Sequence, residues 1–247
     1  MLDLLICIDD TDNYESIGTG KLASRLAGEL EETCASACSL VTRHQLFVHD
    51  RIPYTSHNSS MCFAARVPEA NYGQVVEESA RFLRTMGAPG SDPGLCVASL
   101  GNGLDAQALI GFGRMAKDRV LTKEDAYAEA RRLGVHLSEH GGTGDGVVGA
   151  LAGAGLRLSG NDGRFRGWTS FEAPDGLISV ADLCTRGCVD AVQTVDGDEL
   201  PAGEVVRLVD RVKSVLLNGR SVVLVERTPE ESATSWRVVP KQSLKAY

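Results

Sequence analysis

An α/β fold of the α+β kind is predicted, with a mixed sheet, flanking helices and a small β-rich segment at the end. Three patterns predict it. Leu2 to Ile8 is an apolar run that breaks into Asp9 and Asp10, Leu22, Leu26 and Leu30 recur at helical spacing beside Ala23 and Ala27, and Met61, Phe63, Ala65 and Val67 alternate with their neighbours. The first reads as a buried strand, the second as a one-faced helix and the third as a strand of period two.

The remaining elements follow in order. Ser39 to His49 reads as a strand, a polar loop leads to the strand at Met61, Val75 to Leu83 reads as a helix and Leu95 to Leu100 as a strand. Ala106 to Ala116 is expected to be helical although Gly111 and Gly113 interrupt it, and Thr122 followed by Asp125 caps a helix over Lys123 to Leu133 that Gly134 ends. A glycine-rich turn, His140 to Gly146, then feeds a helix of small residues, Val147 to Leu156. After Trp168 the texture changes, with Asp175-Gly176 marking a turn and strands expected at Val205 to Val209 and Ser221 to Val225. This divides the chain into a domain over 1–168 and a β-rich domain over 169–247, the latter closing the site or mediating homo-oligomerisation.

Composition narrows the function classes. Hydrophobic residues make up 43% and charged residues 23% of 247 positions, which fits a folded enzyme rather than a disordered chain. A formal charge of −8 disfavours a polyanion as the general partner. The seven cysteines are scattered, and the spacing of Cys34 to Cys38 and of Cys184 to Cys188 does not suit a zinc ribbon, so reduced thiols and a cytoplasmic setting are expected. No apolar run approaches the roughly 20 residues that span a bilayer.

Four groups can carry chemistry. Asp9, Asp10 and Asp12 would repel one another at a strand end, and a hard divalent cation, magnesium above all, would relieve that repulsion while gripping a substrate phosphate. A solvated acidic turn is the alternative. Gly18, Thr19, Gly20 and Lys21 stand at the start of the next helix, where backbone donors and the helix dipole favour an anion; close packing would also explain the glycines. The loop holding Arg51, His57 and Asn58 offers a forked donor and a proton-exchanging imidazole to an acceptor, or is a plain solvated turn. Gly141, Gly142, Thr143, Gly144 and Gly146 can cradle phosphate at a helix start, or simply let the following helix pack tightly. Cys7, inside the first strand, reads as a core thiol.

Ile8-Asp9-Asp10-Thr11-Asp12, Thr19 seven residues later, Ile52-Pro53-Tyr54, and a late glycine-rich turn running into Val148-Gly149-Ala150-Leu151-Ala152 together resemble the kinase-like domain of tRNA(Ile) 2-agmatinylcytidine synthetase. The resemblance spans residues 1 to about 168. It implies binding of ATP and magnesium, metal and catalytic roles for Asp9, Asp10 and Asp12, and a counterpart in Thr19 of a threonine that the family phosphorylates in itself. Gly18-Thr19-Gly20 stands where the family carries Cys-Thr-Thr, and Thr55 to Ser59 where it carries a basic Lys-Thr-Arg-Gly-Asn stretch. No counterpart of the family's agmatine-binding domain, nucleic-acid-binding barrel or zinc ribbon is read in residues 170–247. The expectation is therefore an ATP- and magnesium-dependent phosphotransferase or ligase-like enzyme, acting on a metabolite or nucleotide-like acceptor, with tRNA disfavoured as a partner. The alternatives are a tRNA cytidine-modifying enzyme working with an RNA-binding partner, and a non-catalytic nucleotide or metabolite sensor.

Overall fold

The computed structural model describes residues 1–52, 54, 57–101, 103–167, 171–173, 175–209, 211–228 and 235–246. Two compact units divide between Ser159 and Gly160, earlier than the change of sequence texture near 168.

The first unit contains β1 (Leu2–Asp9), α1 (Thr19–Thr33), β2 (Ala37–Cys38), β3 (Thr42–Gln45), β4 (Ser59–Val67), α2 (Tyr72–Met86), β5 (Gly94–Ser99), α3 (Ala106–Asp118), α4 (Lys123–Leu133), β6 (His136–Glu139) and α5 (Gly146–Leu158). Its strands run in the order β6-β5-β1-β4-β3, with β2 also on β4, and every one of these ladders is antiparallel. β1 lies between β4 and β5 and is covered on both faces, which explains its unbroken apolar run. Leu4, Ile6 and Ile8 pack in one core with Leu22, Leu26 and Leu30 of α1 and with Val75, Phe82 and Leu83 of α2. Leu5 and Cys7 point the other way, into a second core with Leu109 and Phe112 of α3 and Val147, Ala150 and Leu151 of α5.

Small residues let α5 lie close to its neighbours. A β-carbon at Gly155 would overlap the Leu109 carbonyl of α3, and one at Gly113 would stand 2.8 Å from the Ala152 carbonyl oxygen and from the Leu156 nitrogen. The two glycines that break the α3 pattern therefore differ. Gly113 is a contact point, whereas a β-carbon at Gly111 meets nothing within 4 Å. The sequence-predicted cap of α4 is present: the Thr122 hydroxyl accepts the Asp125 N–H at 3.1 Å, and the Asp125 carboxylate accepts the Thr122 N–H at 2.9 Å. Gly134, at φ 66°, ends that helix.

The second unit contains β7 (Arg164–Phe165), β8 (Leu177–Ser179), α6 (Val180–Gly187), β9 (Ala191–Thr194), β10 (Val205–Arg207), β11 (Val215–Leu217), β12 (Arg220–Arg227) and β13 (Trp236–Val238). Its order is β7-β11-β12-β13-β10-β8, with β9 beside β12. The β12–β9 and β10–β13 ladders are parallel and the others antiparallel, so parallel pairing enters the fold here. Val192, Val206, Val223, Val225 and Val238 form its centre with Leu183 of α6. The sequence pattern predicts two strands in this unit and misses α6, a short helix whose N-cap Ser179 accepts the Asp182 N–H at 3.0 Å. It also predicts one strand over Ser39 to His49, whereas the strand there covers only Thr42–Gln45.

The α3–α5 contact yields a paired test. Gly155→Ala is expected to destabilise the protein by about 1–3 kcal/mol through overpacking. Gly111→Ala is expected to stabilise it by about 0.5–1 kcal/mol, since the helix gains propensity and nothing is displaced. Urea unfolding of both variants reads the difference, and equal losses would contradict this packing.

Candidate functional site

β1 carries its apolar run to the edge of the core and ends on charge. Asp9 still has strand geometry and pairs in register with Gly94 of β5. Its side chain shares a face with Leu5 and Cys7, and it is only 8% exposed. The carboxylate lies against α5 at Gly149, where any β-carbon would overlap it. Gly94 does the same for the start of α5: a β-carbon there would overlap the Gly146 carbonyl. Two glycines thus bring the first turn of α5 onto the acidic end of β1.

Asp10 turns the chain out of the strand at φ 49°, a left-handed conformation that aspartate tolerates better than most residues. Thr11 is buried, its carbonyl takes the Ala88 N–H at 3.0 Å, and its hydroxyl has no hydrogen-bond partner among the described residues. Asn13 fastens the loop again through its side-chain amide, which donates to the Pro89 carbonyl at 3.2 Å. The loop from Asp10 to Gly18 is therefore tied to the α2–β5 connection. Gly18, at φ 85°, then admits the chain to α1, and a β-carbon on it would lie 3.8 Å from Asp12 Oδ2.

These acids do not sit in ordinary water. Burial raises the Asp9 carboxyl to about 8, the charges of Asp10 and Asp12 add to this, and a hydrogen bond to the Asp10 backbone opposes it. Asp10 is raised to about 6, first by burial, then by the charges of Asp92, Asp12 and Asp145. Asp92 and Asp145 thus complete a cluster that extends beyond the three aspartates of the first strand and its loop.

Two helices begin at this cluster without a side-chain cap, α1 behind Gly18 and α5 behind Asp145. α3 and α4, by contrast, are capped by Asp105 and Thr122. First-turn N–H groups left uncapped at α1 and α5 are donors that an anion can take.

A cleft of about 660 Å³ opens here, a size that suits a small-molecule ligand. It gathers Asp9, Asp10 and Asp12 with Gly18, Thr19 and Gly20, with Arg51, His57 and Asn58, and with Thr143 and Gly146. Lys21 is exposed and outside the lining, and Gly141, Gly142 and Gly144 are also outside it. The turn's glycines instead face carboxylates: β-carbons would overlap Asp92 at Gly142 and Glu139 at Gly144. The Asn58 side chain is committed to the Phe47 carbonyl at 2.6 Å, so it shapes the loop from within. Pro53, Thr55 and Ser56 of the loop motif lie outside the described residues. Arg43, Arg119, Lys123 and Asp145 also line the cleft, and the sequence patterns assign none of them to the site. Asp145 is legible as the acid inside the glycine-rich turn and Lys123 as the first residue after a cap. Arg43 and Arg119 carry no local signal, because only the tertiary fold brings them to the cleft. Among the described residues no three His, Cys, Asp or Glu side chains converge as a metal-holding group.

Without divalent cations, stability is expected to fall as pH rises from about 4 towards 8. The unfolded chain releases these protons near the ordinary value of 3.8, whereas folded Asp10 holds its proton to about 6 and Asp9 to about 8. The Asp9 contribution is complete below its unfolded value and lost as pH climbs through its folded one. Asp9→Asn should flatten the upper part of this decline, read by urea unfolding at about pH 5, 6.5 and 8. A wild-type stability unchanged across that range would contradict the burial argument.

No protein-family model matches the sequence, and no curated protein matches it. Solved structures do match in fold. Apo TiaS, an agmatidine synthetase acting on an isoleucine tRNA, superimposes with a TM-score of 0.55 at 17% identity, covering 93% of this chain and 66% of that one. A complex of TiaS with that tRNA, AMPCPP and agmatine gives 0.54 at 17% identity, over 75% of this chain and 44% of that one. A tRNA fluorescent labeling enzyme gives 0.53 at 20% identity, over 71% and 40%. The chain spans less than two thirds of the length of each. It is a mixed α/β protein whose fold resembles part of the agmatidine synthetase.

Proposed function

We propose that the first unit is an ATP- and magnesium-dependent phosphotransferase or ligase-like enzyme acting on a metabolite or nucleotide-like acceptor. The observation that carries this is the meeting of Asp9, Asp10 and Asp12 with the uncapped starts of α1 and α5 in one cleft. The donor set fits a hard cation: it is all carboxylate oxygen, and burial and mutual repulsion leave two of the acids holding their protons unusually tightly. Magnesium commonly takes one or two carboxylates and fills its remaining positions with water and phosphate, so the cluster need not supply a closed cage. Bound there, magnesium would neutralise charge on the polyphosphate and on the group in transfer.

The chain's own residues divide the remaining work. First-turn N–H groups at Thr19 and Gly20 and at Gly146 hold phosphate oxygens, and the glycine at 18 lets the polyphosphate reach the main chain. Arg51 orients the acceptor, with His57 beside it. Asn58 keeps their loop in place through Phe47. One carboxylate of the cluster accepts the proton that the acceptor loses. Thr19, buried in the first turn of α1, lines the same cleft as Asp12, and its hydroxyl is the candidate for modification by the same chemistry. Positioning and charge neutralisation supply most of the rate in phosphoryl transfer, and this division provides both.

A second reading keeps an RNA acceptor, with RNA binding supplied by a separate partner. All three fold neighbours described above are named for tRNA, and this chain covers 40% to 66% of them. The charge of −8 opposes it for the chain alone. Retention of tRNA by the purified chain at physiological salt would support the RNA reading.

Isothermal titration with ATP and magnesium is expected to show binding that chelation of the metal abolishes. Asp12→Asn is expected to lower ATP turnover on the order of 10²–10³-fold, the usual loss when one electrostatic contact in a transition state is removed. Absence of magnesium-dependent ATP binding would overturn the proposal. Tight binding with no turnover over a panel of acceptors would point instead to a nucleotide sensor.

A further inference from the structure

The turn that opens α5 is bordered by acid. The Asp92 carboxylate takes the Thr143 N–H, Glu139 lies under Gly144, and Asp145 stands at the N-cap position. A helix start carries only about half a positive charge, too little to bring a polyphosphate among three carboxylates. Magnesium at Asp9, Asp10 and Asp12 would offset part of this charge, and a cation at the turn itself would offset more.

Lys123 supplies one. Its Nζ donates to the Thr143 carbonyl at 2.8 Å and to Glu139 Oε2 at 2.5 Å, and the side chain lines the cleft while staying 27% exposed. Gly144, at φ 80°, passes so close to this pair that a β-carbon would overlap Glu139 and stand 2.9 Å from Nζ. The backbone of Lys123 is fixed as well, because it follows Thr122 in the capping box of α4. A lysine in the first turn of a helix opposes the helix dipole, so α4 gains no stability from its charge. The ammonium is held at the wall of the cleft.

We propose that Lys123 is a polyphosphate-binding cation of the cleft, which moves from the Thr143 carbonyl and Glu139 to a phosphate oxygen and so favours nucleoside triphosphate over monophosphate. This rests on the nucleotide reading above. Glu139 is then an internal rival of the phosphate for one ammonium, holding Lys123 in place while the cleft is empty. A purely structural strut makes the opposite demand, since losing either partner would loosen the turn and weaken every ligand alike.

Isothermal titration of the full chain with ATP, ADP and AMP, at fixed magnesium and ionic strength, separates the two. Lys123→Met is expected to weaken ATP about tenfold or more, the loss of one charge-assisted hydrogen bond, and to leave AMP nearly unchanged. Lys123→Arg should restore most of the ATP affinity. Glu139→Gln should tighten ATP severalfold by removing the rival, and this arm decides the matter should Lys123→Met fail to fold, as thermal melting will show. An unchanged ATP-to-AMP ratio in Lys123→Met, or weaker ATP binding in Glu139→Gln, overturns the proposal while leaving the nucleotide reading intact. Wild-type protein that binds none of the three nucleotides overturns both.

Discussion

A buried carboxylate at the end of the central strand sets the terms for the rest of the first unit. Asp9 occupies a position that, two residues earlier, holds a core cysteine and, four residues earlier, a leucine. Taking an ionised carboxylate out of water is costly unless charge or hydrogen bonds compensate, and the first response is to keep the proton. Asp10 and Asp12 deepen the problem, and Asp92 and Asp145 extend it. A cluster of this kind costs stability in the empty protein and becomes favourable only when positive charge arrives. On the proposed reading, that positive charge is the bound magnesium.

The helix packed against it is built to let the charge in. Gly149 leaves room for the Asp9 carboxylate, Gly94 lets Gly146 close on β5, and Gly155 and Gly113 let α5 approach α3. One run of small residues therefore serves the core along most of its length and the site at its beginning. Lys123 answers the same excess of negative charge: on the proposed reading a cation is stored beside the acidic turn, paired with Glu139 and the Thr143 carbonyl until a phosphate displaces them.

Legibility in the sequence follows the range of the forces involved. β1, α1, β4 and α4 are readable because periodicity and caps are local, and the Thr122–Asp125 box announces the start of α4 without any tertiary contact. The Asp9, Asp10 and Asp12 cluster is readable for the same reason. α6 makes only about two turns, and the described strands of the second unit other than β12 are two to four residues long, too short for a period to declare itself. Asp92 and Lys123 cannot be assigned to the site from spacing, since they lie far along the chain from Asp9 and only the tertiary fold brings them there, Asp92 against Asp10 and both onto the turn at Thr143. The glycines of that turn read locally as a cradle for anions. Two of them face carboxylates instead, a difference that only tertiary contacts reveal.

The most direct test is a crystal structure of the protein with magnesium and a non-hydrolysable ATP analogue. The account predicts an ion within about 2.1 Å of at least one carboxylate oxygen of Asp9, Asp10 or Asp12 and of a phosphate oxygen, with the polyphosphate lying between the starts of α1 and α5. Aspartates turned into bulk solvent, with no ion among them and the nucleotide absent or bound elsewhere, would contradict it.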